Sequence, residues 1–283
     1  MSADPVLSSR SILDRLSLTG KNALVTGGNK GIGRAIAHAY AQAGANVAII
    51  GRNENDNKAV SEEISSLYKG IKVINFVCDV TVEKEVNATI DAVVKEFGSL
   101  EIACNNAGIA EWVDAQDMTY SSWKKMITNN LDSAFLCAQA QAKYMIKQGY
   151  GKIVFTASLS GKVSNYPQHQ AHYNSAKAGV ISLARCLATE WAPYGVRVNS
   201  LSPGFTITPL LDDLKKTEIG QKYYPEWISR IPMKVMGEVT DMQGAAVYLS
   251  SEASDYATGM DALIEANRIK LELFNKEHDL WEY

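Results

Sequence analysis

Short runs of β-branched and aliphatic residues alternate with longer helical patterns along most of this chain. That rhythm restricts the fold more than any other feature of the sequence. "NALVTGG" reads as a strand, and "GIGRAIAHAYAQAGA" then places Ile32, Ala35, Ile36, Ala39, Tyr40 and Ala43 at helical spacing. "NVAIIG" is the next strand, followed by a polar helix, "NKAVSEEISSLYKG", and a third strand, "KVINFVCDV". "TVEKEVNATIDAVVKEFG" carries Val82, Val86, Ile90, Val93 and Phe97 on one helix face, with Thr81 expected as N-cap and Gly98 as the stop. "LEIACNNAG" (strand and turn), one long helix over "SSWKKMITNNLDSAFLCAQAQAKYMIKQG", and "GKIVFTAS" (strand) continue the series. "YNSAKAGVISLARCLATEWAPYG" (helix) and "VRVNSLSPG" (strand) complete it. Strands separated by helices of this length pair through right-handed crossovers, so the pattern predicts an α/β fold with a parallel sheet covered on both faces.

No Pro/Gly/Ser-rich linker divides the 283 residues, so residues 18–265 are expected to form one catalytic domain. Residues 1–17 form an N-terminal extension in which "SILDRLSL" fits a short turn of helix, and residues 266–283 form a tail. A formal charge of −3 gives no basic surplus for a nucleic-acid partner. Cys78, Cys104, Cys137 and Cys186 are widely spaced with no CxxC pair, as for reduced, mostly buried thiols. His38, His169, His172 and His278 lack metal-ligand spacing, so no metal is expected. No apolar run is long enough to span a membrane, and "MSADPVLSSRSILDRLSLTGK" lacks the basic start and apolar core of a signal peptide. A cytoplasmic protein is expected.

"TGGNKGIG", residues 26–33, lies between the first strand and the first long helix. There, glycines permit the tight turn and let a pyrophosphate approach the helix N-terminus. The reading is therefore a single-domain, Rossmann-type doubly wound sheet, with Gly27, Asn29, Lys30, Gly31, Ile32 and Gly33 at a dinucleotide. An NAD-specific site usually carries an acid at the tip of the second strand. This chain has "AIIGRN" there. Arg52, beside Asn53, suits a 2′-phosphate, and Lys30 adds a second cation, so NADPH/NADP is the expected cofactor.

"AHYNSAKAG" puts Tyr173 and Lys177 four positions apart, so they share a helix face. Unperturbed, they titrate near ~10 and ~10.4. An ammonium close to a phenol favours the phenolate and is expected to lower the tyrosine pKa, fitting it for acid–base work on a carbonyl.

Taken with "NNAG" (105–108) and "SPGFTIT" (202–208), these motifs resemble those of the short-chain dehydrogenase/reductase family, over about Leu18 to Gly259. The resemblance implies that Tyr173 is the general acid and that Lys177 also holds the nicotinamide ribose. It implies that Asp79 and Val80 meet the adenine and that Asn106 and Gly108 pass the ribose. It gives Asn130 a backbone carbonyl that holds a relay water. Pro203, Gly204, Thr206 and Thr208 would cover the nicotinamide. A serine should hold the substrate carbonyl. "VFTASLSG" offers Ser158 and Ser160; the strand-end pattern favours Ser158, the spacing to Tyr173 favours Ser160, and Ser158 is preferred.

Trp112, Leu159, Gln168, His169 and Phe205 are expected to line the substrate pocket with Ser158. The texture of "SLSGKVSNYPQHQAHYNSAKAGV" resembles ketose and polyol reductases of the sorbose or mannitol type within the family. The resemblance implies reversible reduction of a ketose such as L-sorbose or D-fructose. Reduction of simple ketones or keto esters is the alternative, and a non-catalytic NADP-binding scaffold a second. The family also implies a homo-oligomer, tetramer or dimer. Its usual "DGG" turn after Thr258–Gly259 is missing, and the tail has Ile269, Leu273 and Lys276 at helical spacing. That departure bears on assembly and one pocket wall, not on the catalytic residues.

Overall fold

In the computed structural model, residues 10–265 are described, apart from residue 210 and residues 212–214. The expected face of Ile269, Leu273 and Lys276 lies outside the described residues, as does the first half of the N-terminal extension.

The strands are β1 (Asn22–Thr26), β2 (Asn46–Gly51), β3 (Val73–Val77), β4 (Ile102–Asn105), β5 (Gly151–Thr156), β6 (Val196–Pro203) and β7 (Asp261–Ile264). They form one parallel sheet in the order β3-β2-β1-β4-β5-β6-β7. The long helices are α2 (Gly31–Gln42), α3 (Glu54–Leu67), α4 (Glu83–Phe97), α6 (Ser133–Gln148) and α7 (Ala171–Trp191). A short α1 (Ile12–Leu16) stands where the extension reads as a turn of helix, capped by Ser11. Two more helices, α8 (Glu218–Arg230) and α9 (Gln243–Ser250), follow β6.

Successive side chains of a strand point to opposite faces, so neighbouring residues enter different cores. Leu24 packs with Val86, Ile90, Ala138, Val180 and Leu187 under α4, α6 and α7. Val25 packs with Ile36, Tyr40, Ile64 and Leu249 under α2, α3 and α9. The near-continuous apolar strands of the sequence are explained by this double coverage. A third cluster, away from the sheet, is built on Trp227, Ile231 and Met236.

Two local expectations are corrected. The N-cap of α4 is Val82, without a side-chain cap bond, because the Thr81 hydroxyl donates instead to Asp79 at 2.7 Å. Gly98 does stop that helix, in the left-handed region at φ 86°. The single long helix expected over residues 121–149 is interrupted: α5 (Tyr120–Ile127) passes into a π-helical turn, Thr128–Asp132, before α6. The widened turn carries Asn130, and such turns recur at functional sites.

The strand order reverses direction between β1 and β4, and ligands of open α/β sheets bind at that crevice, outside the C-terminal strand ends. The chain's Gly-rich turn, "NNAG" turn and "TAS" strand end all meet there. Among the described residues no helix is long and apolar enough to cross a membrane, and no His/Cys/Asp/Glu cluster could hold a metal.

Candidate active site

The Gly-rich turn leaves β1 and opens α2. Gly27 and Gly31 are in the left-handed region, at φ 64° and 54°. A Cβ on Gly33 would run into the Gly27 carbonyl oxygen and the Asn106 amide. The helix starts after Lys30 with no side-chain cap and no acid in its first turn. Its first N–H groups and positive dipole end are thus available to an anion.

The turn is braced from the side. The Asn29 amide donates to Asn57 Oδ1 at 2.7 Å, and buried Asn57 donates to the Gly51 and Phe76 carbonyls at 2.8 and 3.0 Å. Gly51 has to be glycine, because a Cβ there would lie 2.6 Å from Asn29 Nδ2 and 2.7 Å from Asn57 Oδ1. Asn29 is therefore a strut between the turn and the tips of β2 and β3. Asn53, expected at the cofactor, uses its side chain to cap α3 through the Asp56 N–H at 3.1 Å.

Arg52 and Lys30 are both exposed. Asp79 sits near Arg52 at the end of β3. Burial works to raise the Asp79 pKa, but bonds from the Thr81 N–H and hydroxyl, with the Arg52 charge, hold it below its ordinary value. Val80 packs against the core under α4.

Across the crevice, Asn106 receives no free role: its amide donates to the Thr26 carbonyl at 3.2 Å, and its N–H to the Thr26 hydroxyl at 3.0 Å. Buried Asn130 donates to the Ile109 carbonyl at 3.0 Å and accepts from the Ile109 N–H at 3.3 Å. The π turn and the "NNAG" turn are thus locked together. Gly108 lies in that contact, where a Cβ would be 2.5 Å from Asn130 Oδ1. A cavity of about 230 Å³ runs along this side, bounded by Ile32, Gly108, Asn130, Tyr173, Lys177 and Thr208, with Pro203, Gly204 and Thr206 across from them.

Tyr173 and Lys177 lie on the first two turns of α7. Lys177 is buried and its ammonium donates to the Thr156 carbonyl at 2.8 Å, 5.7 Å from the centre of the Tyr173 ring. Burial lowers its pKa to about 8. For Tyr173 the expected direction is reversed: burial raises the phenol above its ordinary value, and the opposing pull comes from a hydrogen bond with Ser158. The lysine donates to the Thr156 carbonyl, and desolvation is the leading influence on the phenol. Both candidate serines line the second cavity described below, in different surroundings. Ser158 lies at the boundary of both cavities and accepts from the Ser160 N–H at 3.1 Å, whereas Ser160 is buried and accepts from the Gln170 amide at 3.2 Å.

A second cavity, of about 180 Å³, adjoins the first and shares Ala110, Ser158, Tyr173, Pro203, Gly204 and Thr206 with it. Its far wall holds Trp112, Leu159, Gln168 and Phe205. His169 is not part of it. That side chain is exposed, pairs with Asp114 at 2.6 Å and borders a neighbouring polar groove.

A family model described as "Enoyl-(Acyl carrier protein) reductase" matches residues 27–266. A probable NADP-dependent mannitol dehydrogenase of Yarrowia lipolytica is 40% identical over 261 residues, 91% of this chain and 90% of that protein. The chain belongs to the short-chain dehydrogenase/reductase family. Within it, a sorbose reductase of Candida albicans is 38% identical over 257 residues, 90% of this chain and 89% of its own. Among solved structures, the NADPH-dependent 3-quinuclidinone reductase of Rhodotorula rubra is similar at 35% identity and TM-score 0.84, covering 91% of this chain and 94% of that one.

The residues present fit the dinucleotide of a short-chain dehydrogenase/reductase. The start of α2 is uncapped, the turn before it carries no obstructing side chain, and the tip of β2 offers exposed Arg52 where an acid would repel a 2′-phosphate. Two pocket residues went unread in the sequence. Trp227, on α8, is fully buried and stacks on Phe205 at 5.4 Å and 25°, with Trp112 edge-on at 5.3 Å. Gln170 joins Ser160, Asn165 and Asn174 in one hydrogen-bonded amide cluster. The i, i+4 pair Tyr223 and Trp227 was the available signal for the first.

Proposed function

We propose that this protein is an NADPH-dependent carbonyl reductase that converts a ketose such as L-sorbose or D-fructose to a sugar alcohol, reversibly, with Tyr173 as general acid. The observation that carries the reading is the position of Ser158 and Tyr173, which line both cavities and so stand together at their junction. When bound, the reduced nicotinamide supplies the hydride. Gly27, Gly31, Gly33 and the first turn of α2 receive the pyrophosphate. Arg52 and Lys30 receive the 2′-phosphate, with Asp79 and Val80 at the adenine. Gly108, Thr206 and Thr208 border the ribose and nicotinamide end.

Ser158 donates to the substrate carbonyl oxygen and fixes it beside the Tyr173 phenol. Because burial keeps Tyr173 protonated at neutral pH, its proton is available to the oxygen as negative charge develops there. Lys177, buried and cationic below about pH 8, stabilises the phenolate left behind. Asn130 holds the "NNAG" turn in place and offers its π-turn backbone to a relay water.

The ketose assignment is supported by the mixture of amides and aromatic faces in the second cavity and by the names of the mannitol and sorbose relatives. The stacked Phe205, Trp227 and Trp112 favour a second reading, reduction of a simple cyclic or aliphatic ketone. The test is a panel of ketoses, aliphatic ketones and keto esters with NADPH and NADH, followed by loss of reduced-cofactor absorbance. Ketoses are expected to give the highest kcat/KM, and Tyr173→Phe to lose at least about 10²-fold while still binding NADPH. Equal turnover of ketoses and simple ketones would remove the ketose reading, and a fully active Tyr173→Phe would remove the mechanism.

A further inference from the structure

Gln168 precedes α7 in the loop that leads to Tyr173, and it is 4% exposed. Its side-chain oxygen accepts the indole N–H of Trp227 at 2.7 Å. An indole nitrogen only donates, so this bond settles which end of the carboxamide faces the tryptophan. The amino end is then turned away from Trp227, and it donates to no group among the described residues. With its oxygen committed to Trp227, the amino group is the part of this cavity-lining side chain left to bind a molecule that enters. The holder is itself well anchored. Trp227 is fully buried between Phe205, Trp112 and Tyr223, and α8 meets the same loop a second time where Arg230 lies over the Tyr166 ring at 4.7 Å.

We propose that Gln168, oriented by Trp227, is the specificity-determining donor for a second oxygen of the substrate, one that is not the reacting carbonyl. With one lone pair of its oxygen engaged by Trp227, Gln168 acts toward the cavity chiefly as an N–H donor, so it suits an acceptor: a hydroxyl or ether oxygen, as in a hydroxylated ketone. The aromatic faces beside it, Trp112, Phe205 and Trp227, carry no free amide, and the nearby Gln170 and Asn165 are already hydrogen-bonded to each other. Trp227 is a positioning residue, acting through Gln168. The inference rests on the carbonyl-reductase reading of the site but not on the sugar assignment.

The test uses a pair of substrates that differ by one hydroxyl, hydroxyacetone and acetone, with NADPH. Gln168→Glu keeps the shape and the acceptor for Trp227 but removes the donor; Gln168→Leu removes both. Trp227→Phe keeps the ring stacking and removes the N–H. The kcat/KM ratio of hydroxyacetone to acetone is expected to fall about tenfold in Gln168→Glu and Gln168→Leu, mainly through KM. It should fall less, in the same direction, in Trp227→Phe. Tryptophan fluorescence titration with hydroxyacetone in the presence of NADP should show the same loss of affinity without turnover. A ratio that stays at the wild-type value in Gln168→Glu, with that protein folded by circular dichroism, overturns the proposal. Failure of the wild-type protein on D-fructose and L-sorbose alone refutes the ketose reading and leaves this ratio to decide on Gln168.

Discussion

Replacing Arg52 by Gln tests the cofactor argument at its most specific point. Arg52 stands at the tip of β2, exposed, on the same side of the crevice as Lys30, and its charge contributes to the low pKa of Asp79. A charge-assisted bond from a guanidinium to a phosphate contributes about 1.5–3 kcal/mol. Exposure to solvent reduces this toward the lower end, because water and salt screen the pair. Tenfold in affinity corresponds to about 1.4 kcal/mol, so the Kd for NADPH should rise roughly tenfold in Arg52→Gln. NADH carries no 2′-phosphate and should change by less than about threefold. Arg52→Lys keeps the charge without the planar fork and should fall between. The measurement is a fluorescence titration of both cofactors at low and at physiological salt. In the wild-type protein NADPH affinity should fall faster with salt than NADH affinity, and the difference should shrink in Arg52→Gln. Equal weakening of both cofactors would mean that Arg52 supports the fold of the β2 tip rather than reading the phosphate, and the reasoning would be wrong.

Two further outcomes follow from buried cations. Lys177 has a folded-state pKa of about 8, below its ordinary value, so its ammonium is present below that pH and lost above it. The kcat/KM for reduction should therefore be level to about pH 7 and decline through pH 8, and a flat profile to pH 9.5 would refute the role given to that charge. Lys152, on β5, is buried with Asp255 at 2.8 Å, and its pKa is lowered by burial against the pull of Asp255. Asp255→Asn should cost about 1–2 kcal/mol, less than a fully buried pair because Asp255 is itself 58% exposed, and lower Tm by a few degrees by calorimetry. The deficit should narrow as pH rises and Lys152 becomes neutral, because the unfolded chain then binds the extra proton; an unchanged Tm would count against the argument.

What could be read in the sequence was whatever depends on local period or on a residue type with no substitute. The strand–helix alternation is a periodic signal, and the parallel sheet follows from it. Gly27 and Gly31 require positive φ, and Gly33 lies where any side chain would collide, so the turn announces itself. Tertiary events were harder to see. One extra residue in a helix barely disturbs its periodicity, so the π turn at Asn130 passes for ordinary helix. Asn53 has the residue type of a helix cap and the position of a cofactor contact, and the structure uses it as a cap. Trp227 arrives from α8, remote in sequence from Tyr173, and only packing brings it over Phe205. His169 differs from Gln168 by one position, yet one side chain turns to Asp114 at the surface and the other into the cavity.

The acid–base pair illustrates why spacing alone does not settle a proton's position. An i, i+4 separation puts a lysine within reach of a tyrosine, and in water the pair would simply attract. Here desolvation acts on both groups, and it disfavours whichever form is charged. For the phenol the charged form is the deprotonated one, so the pKa rises; for the lysine it is the protonated one, so the pKa falls to about 8. The two proton affinities are driven apart, with the phenol the stronger holder. At neutral pH the site therefore stands as phenol and ammonium together, which is the protonation state that the proposed reduction consumes. Oxidation of the alcohol needs the phenolate instead, and the same burial opposes it. Ser158, which pulls the Tyr173 pKa back toward its ordinary value, is also the group proposed to hold the substrate oxygen. In the proposed mechanism substrate binding and phenol acidity are thereby linked through one hydroxyl.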